Sequence, residues 1–451
     1  MFCIISCSGI QKQNTYEISG VISNYSKQII YILDFYGFEN TKIDSVKTDS
    51  KGAFSINFND ERPAGLYRFV FANKHHNFIF NKENIEIKTD FHFLTDSMRI
   101  IKSEENIILN DYIKFSMQND QQINTLVEQI RSLQADTEEF KILLRQINNL
   151  RFNIPHDYII KLAEKYPQKY VARLLKSQLI PLADYNAPMD EIRQYLREHM
   201  LDNVDFNDTA LINSQVFAEK AQQYFSLYEY NNFEDTEQGF IRALNKLMSM
   251  AAVNDKVFNY FLEYISDKYE KSDFDNFFAY LTENYLLGSS CKNDDEEEKL
   301  KKRLEFHKML ATGNTAPDFE ITLEDSSKLK LSEMDASYKL LIFWASWCGH
   351  CKEFLPEIKK IYNEYKSKGF EILAISLDSI KNNWKEVIRM EKFDWINYSE
   401  LKGWNGSIVL KYGIWATPAF FLLDKNNSII LKPRTPDQLR RKLNYQLKID
   451  N

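Results

Sequence analysis

Two cysteines at Cys-x-x-Cys spacing, Cys348 and Cys351, are the residues of this 451-residue chain best suited to redox chemistry. A thiolate attacks a disulfide to form a mixed disulfide, which a second cysteine one helical turn away can resolve. An apolar run, Leu340 to Trp344, precedes the pair and helical spacing follows it, so Cys348 is expected at a helix N-terminus, where unpaired N–H groups favour a thiolate. Cys348 is thus predicted as the nucleophile and Cys351 as the resolving cysteine.

Other interpretations of the pair are a static or incidental disulfide and a zinc site. Structural zinc normally needs a second Cys or His pair, and the seven histidines contain no H-x3-5-H spacing. The remaining cysteines, Cys3, Cys7 and Cys291, are too few for a disulfide scaffold. We expect no metal and no cofactor other than a redox-active Cys348–Cys351 disulfide.

The elements expected to position the pair extend over residues 311–451. Phe370 to Leu377 is a second near-continuous apolar strand, of the kind that parallel sheets bury. A hairpin is predicted from Ala419 to Leu431, and Thr435-Pro436-Asp437-Gln438 should start a last helix. The pattern predicts an α/β domain with the cysteine pair at the turn of a βαβ unit.

The preceding chain divides into two regions of different periodicity. Short alternating runs over residues 15–100 predict an all-β sandwich or barrel. Helical spacing over residues 101–310 predicts an all-α domain. The acidic run at residues 294–298 is interpreted as the start of a solvated connecting helix rather than a metal site, because consecutive carboxylates splay around a helix.

The segment Phe343-Trp-Ala-Ser-Trp-Cys-Gly-His-Cys351 resembles the active site of the thioredoxin superfamily. Pro356 matches the proline that kinks the following helix, and Tyr412 to Pro418 resembles the segment that carries the cis-proline of that family. The resemblance implies a thioredoxin-like fold with Pro418 against the sulfurs. It also implies that Thr417, Trp347 and Gly349 contact the substrate. Without this resemblance, the Thr417-Pro418 pair would be interpreted as a turn with a trans peptide bond.

Within that superfamily, residues 311–450 look like the TlpA/ResA type, which are membrane-tethered thiol-disulfide oxidoreductases of the bacterial envelope. The resemblance implies protein thiols and disulfides as substrates and a membrane-associated electron donor. Two positions depart from the family pattern. Ile342 stands where thioredoxins bury an acid, and Glu353 stands one residue earlier than the glutamate of many TlpA/ResA-type proteins. The acceptor of the Cys351 proton is therefore not identified.

His350 is expected to make the site moderately oxidising. In the first turn of the helix, the imidazole can stabilise the Cys348 thiolate and hence the reduced form. Cys-Gly-His-Cys is also the motif of protein disulfide isomerase. The reduction potential of that protein is about -180 mV, whereas that of thioredoxin is about -270 mV.

The first 14 residues are predicted to be a leader. Ile4-Ile-Ser-Cys7 resembles a bacterial lipobox, which implies a lipidated Cys7 and a location in the periplasm or cell envelope. The leader departs from the pattern because it has no basic region and its apolar part is short. The alternative is a disordered tail with two incidental cysteines.

Composition excludes several other functions. With 57 basic and 64 acidic residues the net charge is -7, and no basic stretch is interleaved with aromatics, so nucleic acid is not an expected partner. No apolar run is long enough to span a bilayer, so attachment by a lipid anchor alone is expected. A peroxiredoxin is disfavoured because the threonine-x-x-cysteine context of its peroxidatic cysteine is not found here. The alternative function is an adaptor lipoprotein whose front domains hold a partner.

Overall fold

A computed structural model describes residues 14–135, 137–185, 187–229, 233–270, 272, 274–287 and 294–449. Residues 1–13 of the predicted leader, which include Cys3 and Cys7, and the remaining non-motif cysteine, Cys291, lie outside these residues. The chain forms two compact units, residues 1–265 and 266–451. Among the described helices, none is both long enough and apolar enough to cross a membrane.

The first unit begins with strands, as predicted. The described residues form two four-stranded sheets, ordered β4-β1-β7-β8 and β3-β2-β5-β6, whose apolar faces supply one core cluster. The strands are β1 Thr15–Ser23, β2 Ile29–Tyr36, β3 Glu39–Lys47, β4 Ala53–Asn59, β5 Gly65–Phe71, β6 Lys74–Phe80, β7 Ile85–Asp90 and β8 Arg99–Lys102.

The predicted helical region follows directly. Ser103 caps the first helix, where its hydroxyl accepts a hydrogen bond from the Asn106 N–H. The helices are α1 Glu104–Ile130, α2 Glu138–Asn148, α3 Ile154–Lys165, α4 Tyr170–Gln178, α5 Met189–His199, α6 Val216–Ser226, α7 Phe233–Ala251 and α8 Asp255–Glu270.

The second unit contains the cysteine pair. Its five-stranded sheet has the order β13-β12-β11-β14-β15, with β11 parallel to β12 and antiparallel to β14. The elements are α9 Asp275–Leu281, α10 Asp294–Met309, β9 Glu320–Thr322, β10 Lys328–Lys330, β11 Tyr338–Trp344, α11 Gly349–Tyr365, β12 Phe370–Ser376, α12 Lys381–Glu391, β13 Ile396–Tyr398, α13 Ser407–Lys411, β14 Ala419–Asp424, β15 Ile429–Leu431 and α14 Pro436–Ile449.

The sheet positions the chemistry through β11, which is buried along its whole length. Lys339 donates from its ammonium to the Asn427 side chain, and the residues of β11 from Leu340 to Trp344 are apolar, as expected for a strand in parallel pairing. The chain leaves β11 at Trp344 and enters α11 at Gly349. The cysteine pair therefore lies at the carboxyl edge of the sheet, at the strand-to-helix turn.

The unit includes two helices that precede the predicted boundary at residue 311. The expectation that α10 is solvated is wrong for its last turns, because Leu304 and His307 are each 8% exposed. Phe306 packs against the core and Leu310 belongs to it. Residues 266–310 are thus part of the structure around the cysteine pair.

Candidate active site

Cys348 is the N-cap residue of α11. Its backbone is extended, with φ -80° and ψ 118°, and its Sγ accepts a hydrogen bond from the Cys351 N–H at 3.2 Å. This bond uses one of the N–H groups that the first helical turn leaves unpaired. The sulfur of Cys348 thus lies at the positive end of the helix dipole, where a thiolate is stabilised.

The cis-proline segment meets this sulfur from the opposite side. The Thr417–Pro418 peptide bond is cis. The thiol of Cys348 donates to the carbonyl oxygen of Thr417 at 3.3 Å. The two predicted segments, separated by 69 positions, are therefore brought together in one site.

The two thiols differ in their surroundings. Cys348 is 7% exposed, whereas Cys351 is 1% exposed, and both are free thiols. Burial, followed by the hydrogen bond with Cys348, raises the pKa of the Cys351 thiol to about 12. Removal from water disfavours the charged thiolate. The arrangement suits an accessible sulfur that reacts first and a buried sulfur that reacts second.

The remaining predicted residues lie on the exposed side of the site. Trp347 is 55% exposed, and its ring centroid is 6.2 Å from that of Trp404. Among the described residues, nothing apart from the adjoining chain and the backbone of α11 lies within 4 Å of the position that a Cβ on Gly349 would take. His350 is exposed, and its Nδ1 lies 3.7 Å from a carboxylate oxygen of Glu353. These side chains are free to meet a partner from solvent.

Neither of the two positions that depart from the family pattern supplies a group that could accept the Cys351 proton. Ile342 is completely buried in the middle of β11 and carries no proton acceptor. Glu353 lies on the solvent side, next to His350. The acceptor of the Cys351 proton is not among the groups that the sequence suggested.

Asp378 is a buried residue of the site that sequence reasoning missed. Its carboxylate accepts hydrogen bonds from the Ser346 N–H at 2.9 Å, the Ser346 hydroxyl at 2.5 Å and the Ser376 hydroxyl at 2.7 Å. These bonds hold the turn before Cys348 against the end of β12. The position of Asp378 in the sequence could have revealed it. Asp378 closely follows β12, and the carboxyl ends of adjacent parallel strands meet at one edge of the sheet.

Comparison with known proteins agrees with this geometry. A family model described as the AhpC/TSA family matches residues 312–432. The crystal structure of a thioredoxin-like protein from Bacteroides caccae shares the fold with a TM-score of 0.50. It is 23% identical and covers 59% of this chain and 96% of its own. The C-terminal unit therefore has a thioredoxin-like fold, and its residues 312–432 are similar to the AhpC/TSA family.

Curated relatives of this thioredoxin-like unit are thiol-disulfide oxidoreductases. ResA of Bacillus thuringiensis subsp. konkukian is 29% identical over 134 residues, which cover 29% of this chain and 76% of the relative. ResA of Oceanobacillus iheyensis is 32% identical over 127 residues, covering 27% of this chain and 65% of the relative. The protein is an oxidoreductase.

A second family model matches a part of the chain that precedes the five-stranded sheet in the sequence. A domain of unknown function, DUF5106, matches residues 174–305. The match ends at residue 305, and the AhpC/TSA match begins at residue 312. Phe306, His307 and Leu310 lie between the two.

Proposed function

We propose that this protein reduces or rearranges disulfides of cell-envelope proteins through the Cys348–Cys351 dithiol. The observation that carries the proposal is the position of the Cys348 sulfur. It accepts the Cys351 N–H at the start of α11 and lies 3.3 Å from the Thr417 carbonyl oxygen. A sulfur polarised by a helix N-terminus and placed beside the backbone of the cis-proline segment suits attack on a disulfide in a second polypeptide.

The reaction proceeds in two exchanges. The Cys348 thiolate attacks one sulfur of the substrate disulfide, that S–S bond breaks, and the first substrate sulfur leaves as a thiolate. Cys351 then loses its proton and attacks Cys348, so that the Cys348–Cys351 disulfide forms and the second substrate thiolate leaves. Two electrons pass to the substrate, and an external dithiol donor must return them.

Thr417 and Pro418 position the substrate in this scheme, with Trp347 and Gly349 on the side where it arrives. The exposed ring of Trp347 offers apolar contact area. The open space at Gly349 lets a substrate backbone approach the sulfur closely. No bound cofactor is required, because the dithiol itself carries the electrons.

The proposed location and electron supply are supported by the names of the relatives and by the leader sequence. Relatives that match most of the thioredoxin-like unit are named thiol-disulfide oxidoreductase ResA. We place the protein in the periplasm or cell envelope, attached to a membrane through a lipidated Cys7 and re-reduced by a membrane-associated donor. Radiolabelled fatty acid on wild type but not on Cys7→Ser would support the anchor.

The function is tested with cysteine variants. Cys348→Ser should abolish dithiol-dependent reduction of insulin, whereas Cys351→Ser should accumulate mixed disulfides through Cys348. Mass spectrometry that finds Cys351 as the trapped sulfur in a Cys348→Ser protein would reverse the roles. Trapped partners recovered from the envelope would identify the substrates.

The adaptor alternative makes a different kinetic prediction. If the first unit only holds a partner, the full chain and residues 266–451 should reduce a generic disulfide at similar rates. A large gain for the full chain on one particular protein substrate would instead show that the first unit selects substrates for the dithiol.

A further inference from the structure

A cavity of about 490 Å³ lies beside the cis-proline within the thioredoxin-like unit. Its volume is within the range of roughly 300 to 1,000 Å³ that is usual for ligand sites. One wall is the segment from Tyr412 to Phe421, which includes Thr417 and Pro418, and the other is the end of α10 with Phe306 and Leu310. His350 also lines it. The cavity is therefore continuous with the proposed site of disulfide attack.

The α10 wall is fitted closely to the cis-proline segment. Gly413 has φ +54°, and a Cβ at this position would lie 2.5 Å from Cγ of Phe306. The Phe306 ring centroid lies 6.2 Å from that of Trp415, which is 52% exposed. A glycine thus allows an aromatic ring to reach the loop, and the two rings form an apolar wall.

Three of the ionisable residues that line the cavity, Asp275, His307 and Lys432, pair with one another, while Glu270 and Arg434 also line it. Asp275 is 3% exposed, accepts a hydrogen bond from Nδ1 of His307 at 2.9 Å and forms an ion pair with Lys432. A buried carboxylate with two cationic or donor partners does not attract a further cation. The remaining wall is mainly aromatic and aliphatic, so the cavity favours an apolar group over an ionic one.

We propose that this cavity binds a large apolar side chain, preferably aromatic, next to the reacting cysteine of a polypeptide substrate. The proposal rests on the disulfide exchange proposed above. A polypeptide is favoured as the occupant because Thr417 and Pro418 belong both to the cavity wall and to the surface that meets the substrate at Cys348. Residues outside the matched AhpC/TSA region, above all Phe306, then determine which disulfides react.

The test compares two disulfide-linked peptides that differ only beside the cysteine, with phenylalanine on both sides in one and serine in the other. Reduced full-length protein is mixed with each peptide, and the released thiol is followed by liquid chromatography in single turnovers. Wild type should react at least about tenfold faster with the phenylalanine peptide, the scale at which apolar pockets discriminate.

Three variants separate selection from folding. Trp415→Ser, at an exposed position, and Phe306→Ser should lower the ratio of the two rates toward one. Tyr445→Ser is the matched control, because Tyr445 is 62% exposed and does not line the cavity, and it should keep the wild-type ratio. Equal wild-type rates on both peptides, or a ratio unchanged in Trp415→Ser, would overturn the proposal. Failure of wild type to reduce either peptide would instead refute the proposed function.

Discussion

The second exchange should depend steeply on pH, because Cys351 is 1% exposed and its pKa is raised to about 12. At pH 7 an ordinary cysteine with a pKa of about 8.5 is ionised in about one molecule in 30, and a thiol whose pKa is raised by burial is ionised in far fewer. Only the thiolate attacks. Burial, the largest cause of the raised pKa, persists when Cys348 is held in a mixed disulfide, so the rate of the second exchange should still be rising with pH at pH 9.

Ellman's reagent separates the two exchanges. Attack by Cys348 releases the first thionitrobenzoate, and attack by Cys351 on the resulting mixed disulfide releases the second. Both are followed by stopped-flow absorbance in a background with serine at positions 3, 7 and 291. Cys351→Ser should release one equivalent only. A second phase that levels off near pH 8 would refute the reasoning, because Cys351 would then titrate as an ordinary thiol.

Three further predictions follow from the site and its supports. The fragment of residues 266–451 should have a melting temperature at least about 5 °C above that of residues 311–451 by circular dichroism. The reason is that losing each large buried side chain such as Leu310 costs about 2 to 5 kcal/mol. Equal melting temperatures for the two fragments would refute this. Asp378→Ala should lower the free energy of unfolding by about 2 to 4 kcal/mol in urea, and Asp378→Asn by less, because the amide oxygen can still accept from Ser346. His350→Pro should lower the reduction potential by tens of millivolts in glutathione buffers, and since the first helical turn tolerates proline, an unchanged potential would contradict the role of His350.

The elements around the cysteine pair could be predicted because their signals are local. The apolar run of β11, the following apolar run of β12 and the hairpin of β14 and β15 lie where the sequence pattern places them. The last helix begins as predicted, with the Gln438 N–H donating to the Thr435 hydroxyl at 3.3 Å. Each of these features depends on residues close together in the chain.

Strands with mixed composition were not predicted. β3 is exposed or half-buried along its length, so it shows no alternation between an apolar and a polar face. β6 begins Lys74-His-His-Asn, which reads as a polar turn, although its last three residues are buried. Pairing with neighbouring strands, rather than periodicity, determines both elements.

The site residues that escaped prediction depend on distant partners. Asp378 is recognisable only once β11 and β12 lie side by side and Ser346 donates to it. His307 follows a run of charged residues that suggested a solvated helix, yet its ring is buried against Asp275. Contacts over such separations have no period in the sequence.

The contact between Phe306 and Gly413 limits how this protein can change by recombination. A gene fusion that kept residues 312–432 but supplied a different preceding helix would leave the space above Gly413 unfilled. Conversely, any side chain at position 413 would collide with the ring of Phe306. An engineered fusion that keeps α10 together with Gly413 would preserve this contact.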